Sequence, residues 1–234
     1  MNRWIGTSGF QYPEWKGDFY PEKMPVAKML AYYAERFSTT EINYTFRQIP
    51  KDTTVMKWVE GTPEHFRFTF KAPQKVTHFA KLRNCGETMI YFHGVMQGLG
   101  EKRGAVLFQL PPNFEKDVET LASFLGDLPK GMKAAFEFRH ESWFVDEVYG
   151  LLREHNAALC LAENEELVTP REVTADFGYL RLRREDYTRE DLADWAEFVK
   201  KQEACWSDVF IYFKHEAKGV GPLFAGTMQE LLGE

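Results

Sequence analysis

Glu137, Arg139 and His140 stand close together where the apolar run at residues 133–138 gives out. A carboxylate, a guanidinium and an imidazole at one strand end can bind an anion and move protons on it. Other apolar runs end the same way: Glu41 and Asn43 in TTEINY, Lys71 in FTFK, Gln109 in LFQL, and Arg181 and Arg183 in YLRLR. The chemistry these residues suggest is acid–base catalysis. Glu137 and Glu41 are the candidate acid and base, because two carboxylates in different surroundings hold their pKa values apart. Lys71 would polarise a carbonyl or stabilise developing negative charge, and His140 would shuttle a proton. Arg139 and Arg181 would clamp an anion, with Asn43, Gln109, Trp143, Tyr12 and Trp15 completing the substrate-binding surface.

Such residues need elements to aim them. Runs rich in β-formers occur at residues 4–7, 39–43, 67–71, 104–109, 133–138, 158–162, 177–182 and 208–213. Between most of them lie segments with helical spacing, such as MPVAKMLAYYAERF, EKDVETLASFLGDL and REDLADWAEFVKKQEACW. Eight β-α units predict an α/β fold, a single (β/α)8 TIM-type barrel spanning 1–234 as one domain. ENEELVTPREVTADF lacks amphipathic period and carries Pro170, so the sixth helix is expected to be irregular or missing. In a barrel, strand side chains alternate between the interior and the helix layer. With Phe136 and Phe138 toward the helices, Ala135, Glu137 and Arg139 face inward. With Phe66, Phe68 and Phe70 outward, Thr69 and Lys71 face inward. The inward polar residues then collect at the C-terminal strand ends, the face on which barrel enzymes build active sites. Gly6, Thr7, Ser8 and Gly9, after the first run, form either a plain turn or a backbone nest for an anion.

The stretches IGTSGFQYPEWKGDFYPE, TTEINYTFRQIP, FTFKAPQKVTHF, LFQLPP, FEFRHESWF, LCLAE and TADFGYLRLR, in this order, give the chain a clear likeness. It resembles the YecE-like family, domain of unknown function 72, over nearly its whole length. The resemblance implies a TIM-type barrel and supplies no activity. The chain departs from the family pattern at YFKHEAKG and YLRLRRED, so no role is carried onto Arg183, Lys214 or His215.

Composition narrows the partners. A net charge of -6 lacks the basic footprint of a protein that grips nucleic acid phosphates. No apolar stretch approaches a membrane span, and MNRWIGTSGF has no signal-peptide core, which predicts a cytoplasmic protein without membrane partners. Cys85, Cys160 and Cys205 form neither a CxxC nor a zinc pattern and read as reduced structural thiols. Glu41, Glu137 and His140 are a conceivable metal set, but the inward residues are poor in His and Asp, so no metal and no cofactor are expected. The reading is an enzyme acting on a small anionic, sugar-like or phosphorylated molecule. A metal-assisted phosphodiesterase or nuclease, and a non-catalytic metabolite-binding protein, are the alternatives, and oligomeric state is left open.

Overall fold

The structure is a computed structural model that describes residues 1–163, 167–214 and 219–234. Eight parallel strands close on themselves in chain order: β1 (Asn2–Ser8), β2 (Thr39–Ile42), β3 (Arg67–Lys71), β4 (Arg103–Gln109), β5 (Ala134–Glu137), β6 (Ala158–Glu163), β7 (Phe177–Leu182) and β8 (Asp208–Phe213). Closure is made by β1 on β8, in register from Asn2 opposite Asp208 to Thr7 opposite Phe213. Seven α-helices lie among the described residues: α1 (Met29–Ala34), α2 (Asp52–Glu60), α3 (Gly86–Gln97), α4 (Val118–Gly126), α5 (Asp146–Glu154), α6 (Arg189–Lys201) and α7 (Val220–Leu232).

Local chemistry starts and stops these helices. Thr188 and Asp191 make reciprocal side-chain to backbone bonds around the first turn of α6, and Lys200 and Lys201 sit at its negative end. Asp117 accepts from the Thr120 amide and caps α4. Among the described residues no such start exists between β6 and β7. There residues 167–176 run without a helix, and the hydroxyls of Thr169 and Thr174 accept from the Ala162 and Leu159 amides at 3.2 and 2.7 Å. In place of a helix, the described part of this connection is thus bonded directly onto β6.

Two apolar layers follow from the alternation along each strand. Phe68, Phe70, Phe108, Phe136 and Phe138 are buried with helix residues such as Leu121, Phe124 and Leu152. Ala105, Leu107, Ala135, Ala158, Cys160, Phe177, Tyr179, Phe210 and Tyr212 fill the lower and middle barrel interior. Cys85 and Cys160 are buried thiols, whereas Cys205 is exposed, so only the first two fit the expected structural role. No helix of the described residues is long and apolar enough to cross a membrane.

Candidate active site

Above the aromatic filling, the strand ends turn polar. Arg181 on β7 is the hub: Nη2 donates to Glu41 Oε1 at 2.9 Å, and Nη1 donates to Glu137 Oε2. Its side chain and those of both acids are at most 2% exposed. Glu41 also accepts from Ser8 Oγ at 2.5 Å and from Tyr179 OH at 2.7 Å. Glu137 accepts from Gln109 Nε2 at 2.7 Å and Arg139 Nε at 3.1 Å, with Arg183 Nη1 3.9 Å away. Asn43 Nδ2 donates to Ser8 Oγ at 2.8 Å and ties β2 to the same network. Strand register makes these contacts possible, since Gln109 lies opposite Glu137 and Ser8 opposite Glu41.

Electrostatics follow from this geometry. Burial pushes the Glu137 carboxyl upward, but the guanidiniums of Arg181, Arg139 and Arg183 overcome it and hold it at about 2. Burial likewise opposes ionisation of Glu41, and Arg181 with the Ser8 and Tyr179 hydroxyls brings its pKa below the ordinary value. Both carboxylates are therefore charged at neutral pH, with most of their lone pairs in use.

Lys71 behaves differently. Burial, with Arg181 next in weight, lowers its ammonium from the usual 10.5 to about 7 against the opposing pull of Glu137 and Glu41. Its Nζ lies 4.2 Å from the centre of the Phe46 ring and has no hydrogen bond or ion pair among the described residues. His78, in the short π-helical turn Lys75–Phe79 that follows β3, packs edge-on against that ring at 4.9 Å. Its imidazole is lowered by burial first, then by Lys71 and Arg139.

Glu41, Asn43, Gln109, Glu137, Arg139 and Arg181 are thus joined in one hydrogen-bonded network, and Lys71 shares its field. Three expected site residues fall elsewhere. Trp143 is fully buried, stacks on Phe138 at 4.6 Å and donates Nε1 to Phe114 O at 2.6 Å. Because Phe138 points to the helix layer, Trp143 is a packing anchor there and not a pocket wall. Trp15 is 1% exposed, enclosed by Tyr12, Phe19 and Tyr20, and cannot stack on a substrate. His140 caps the single turn Glu141–Trp143, its Nδ1 accepting from the Ser142 amide at 3.3 Å, and makes no bond to the network. A residue leaving a strand for a turn is recruited by the nearest unsatisfied amides.

Tyr12 does lie at the mouth: its hydroxyl donates to Ser8 O at 2.7 Å, and with Phe10, Asn43, Tyr44 and Trp58 it lines a side cavity of about 360 Å³. The Gly6 to Gly9 stretch is no anion nest: Gly6 to Ser8 are the end of β1, the Thr7 amide donates to Tyr33 OH and the Gly9 amide to Glu41 O. Gly9 has φ +91, and a Cβ there would meet Tyr12 OH at 2.5 Å. Phe46, His78 and Tyr179 carry no expected site role, and Ser8, named only for a backbone nest, joins the network through its hydroxyl. Tyr179 lies two residues before Arg181 and shares its face, so alternation alone identifies it; Phe46 and His78 sit in single helical turns, Tyr44–Phe46 and Lys75–Phe79, too short to show a period. His215 lies outside the described residues. Among the described residues, no three His, Cys, Asp or Glu side chains gather as a metal-holding group.

A closed (β/α)8 barrel with a buried, charged C-terminal mouth defines the class. The profile of the family described as "Protein of unknown function DUF72" matches residues 4–234, and the chain belongs to that family. It is 32% identical over 142 residues to the UPF0759 protein YecE of Escherichia coli K12, covering 60% of this chain and 50% of that one. It is also 32% identical over 167 residues to the UPF0759 protein YunF of Bacillus subtilis, covering 62% and 54%. The matched region therefore spans about half the length of these curated relatives. Among solved structures, a DUF72 family protein of Thermotoga maritima superposes with a TM-score of 0.86 at 26% identity over 100% of both chains. One from Enterococcus faecalis gives 0.82 at 20% identity over 99% and 96%, a likeness of fold.

Proposed function

We propose that the protein is an enzyme that holds a small phosphorylated or carboxylated molecule in the barrel mouth and transfers protons there through Lys71. One observation carries the reading: Lys71 is a half-buried amine without a carboxylate partner among the described residues, beside a network in which the acids already have cations. Among the described residues, Arg139 and Arg181 with a protonated Lys71 outnumber the two carboxylates Glu41 and Glu137. A low-dielectric cleft focuses such an excess, so the mouth attracts anions although the chain carries -6. A group titrating near neutrality can give and take a proton at working pH.

Glu41 and Glu137 take a different part from the acid–base pair suggested by residue type. Saturated by donors and held ionised, they fix Arg181 and orient Arg139. Calorimetry with inorganic phosphate tests the proposal. Binding at millimolar concentrations or tighter is expected for the unmodified protein. Arg139→Gln should weaken it about ten- to one-hundred-fold, corresponding to roughly 1.4 to 3 kcal/mol for a partly desolvated charge contact. No phosphate binding to the unmodified protein, or equal binding by Arg139→Gln, would sink it.

A further inference from the structure

We infer that Lys71 is an imine-forming nucleophile, whose amine condenses with the carbonyl of a small aldehyde or ketone that also bears a phosphate or carboxylate. Lys71 chemistry of this kind presupposes the anion-binding mouth proposed above and assigns it a substrate class.

Three features of the mouth support the inference. Lys71 closes β3, opposite Leu107 of β4, so its backbone is held by the barrel and not by a mobile loop. Its Nζ is shielded by the Phe46 face at 4.2 Å and has no hydrogen bond or ion pair among the described residues. The acids that could pin it as an ammonium are engaged elsewhere: Glu41 by Arg181, Ser8 and Tyr179, and Glu137 by Arg181, Gln109 and Arg139. Desolvation and neighbouring cations are the two conditions that free a lysine for attack on a carbonyl. The charged groups bearing on it are Arg181, Glu137, Glu41 and Arg139, and the nearby imidazole of His78 feels its charge in return. At neutral pH an ordinary lysine is uncharged in roughly one molecule in 2,500, whereas with its pKa at about 7 Lys71 is uncharged in a large fraction.

The step balances without a further reagent. The neutral amine attacks the carbonyl carbon, the carbonyl oxygen takes a proton, and the nitrogen loses one, giving a carbinolamine. Protonation of its hydroxyl from solvent releases one water as the nitrogen lone pair forms the C=N bond. The product is a protonated imine, with the phosphate or carboxylate of the substrate facing Arg139.

Borohydride-type trapping tests this directly. The protein is incubated at pH 7 with cyanoborohydride and either dihydroxyacetone phosphate or pyruvate, and adducts are located by peptide mass mapping. One of the two should label Lys71 at least ten-fold more than any other lysine, which also identifies the preferred anionic group. Excess inorganic phosphate should slow the reaction. Lys71→Met should lose the adduct, and Lys71→Arg should lose it while retaining phosphate binding. Reductive methylation with formaldehyde, which needs no fit to the mouth, should modify Lys71 at least ten-fold faster than surface lysines. Lys71 methylated no faster than those lysines, or labelled above them by neither anion, overturns the inference. Phosphate calorimetry on the same samples separates the two levels. Binding retained without labelling removes the imine alone, and loss of both removes the anion-binding mouth as well.

Discussion

The two ends of the barrel are both polar, yet they treat charge differently. At the N-terminal end Asp208 accepts from Asn2 Nδ2 at 2.9 Å and Trp4 Nε1 at 3.1 Å, and it pairs with Lys133. One acid there meets one ammonium, which is 38% exposed, and Arg67 covers the Trp4 ring at 4.8 Å. At the C-terminal end Glu41 and Glu137 share Arg181, with Arg139 also on Glu137, and the Arg181 pairings are out of solvent. The first arrangement closes the barrel with neutralised, partly hydrated charge. The second buries two carboxylates around the single guanidinium of Arg181, with Arg139 29% exposed at its rim, so the cluster depends on that one shared partner. Desolvation of the ion pairs, more than polarity, distinguishes the two ends.

The sharpest way to break this contrast is to remove its hub. Arg181→Met should destabilise by about 3 to 5 kcal/mol because it leaves two buried carboxylates without their shared partner; a urea titration measures it, and a loss no greater than that of Asp208→Asn would erase the distinction. Acid should act on the same cluster. Glu137 has a folded pKa near 2, below its unfolded value. Its contribution is present above the unfolded pKa and is lost as pH falls from about 5 through 2, roughly 3 kcal/mol at the limit. Asp208→Asn should leave most of that acid limb in place, and a flat stability profile from pH 5 to 2 would count against the buried cluster.

Lys71 should show the opposite slope. Its folded pKa lies below its unfolded one, so between about pH 7 and 10 the unfolded chain binds more protons and stability rises with pH. Lys71→Met should abolish that rise and gain about 1 to 2 kcal/mol at pH 6 by removing a desolvated charge, the trade of stability for function expected of a working site. Equal denaturation midpoints for both proteins at pH 6 would show that Lys71 is well solvated. The smallest effect should be Asp208→Asn itself, less than about 1 kcal/mol, because a partly exposed ion pair contributes little.

Much of this was written along the chain. Eight β-rich runs and their order follow from a period of two; large aromatics on the helix face turn Lys71 and Glu137 inward, whereas in β7 Leu180 and Leu182 mark the outer face and leave Arg181 inside with Tyr179. The lack of a helix over the described residues 167–176 was equally visible in the unpatterned stretch around Pro170. Residue type could not tell who pairs with whom. Glu41 and Glu137 look alike as acids, and Arg139, Arg181 and Lys71 look alike as cations. Only closure of the barrel, which brings β7 across from β2 and β5, places Arg181 between both carboxylates and leaves Lys71 beside them. The loops were beyond reach for a related reason. Trp143, Trp15 and His140 follow strands that end at the mouth, but where they settle depends on the nearest cavity or unsatisfied amide, and both are created by packing. Phe46 and His78 come to Lys71 in the same way. Periodicity is a property of neighbours in sequence, whereas the pKa of a buried amine depends on neighbours in space.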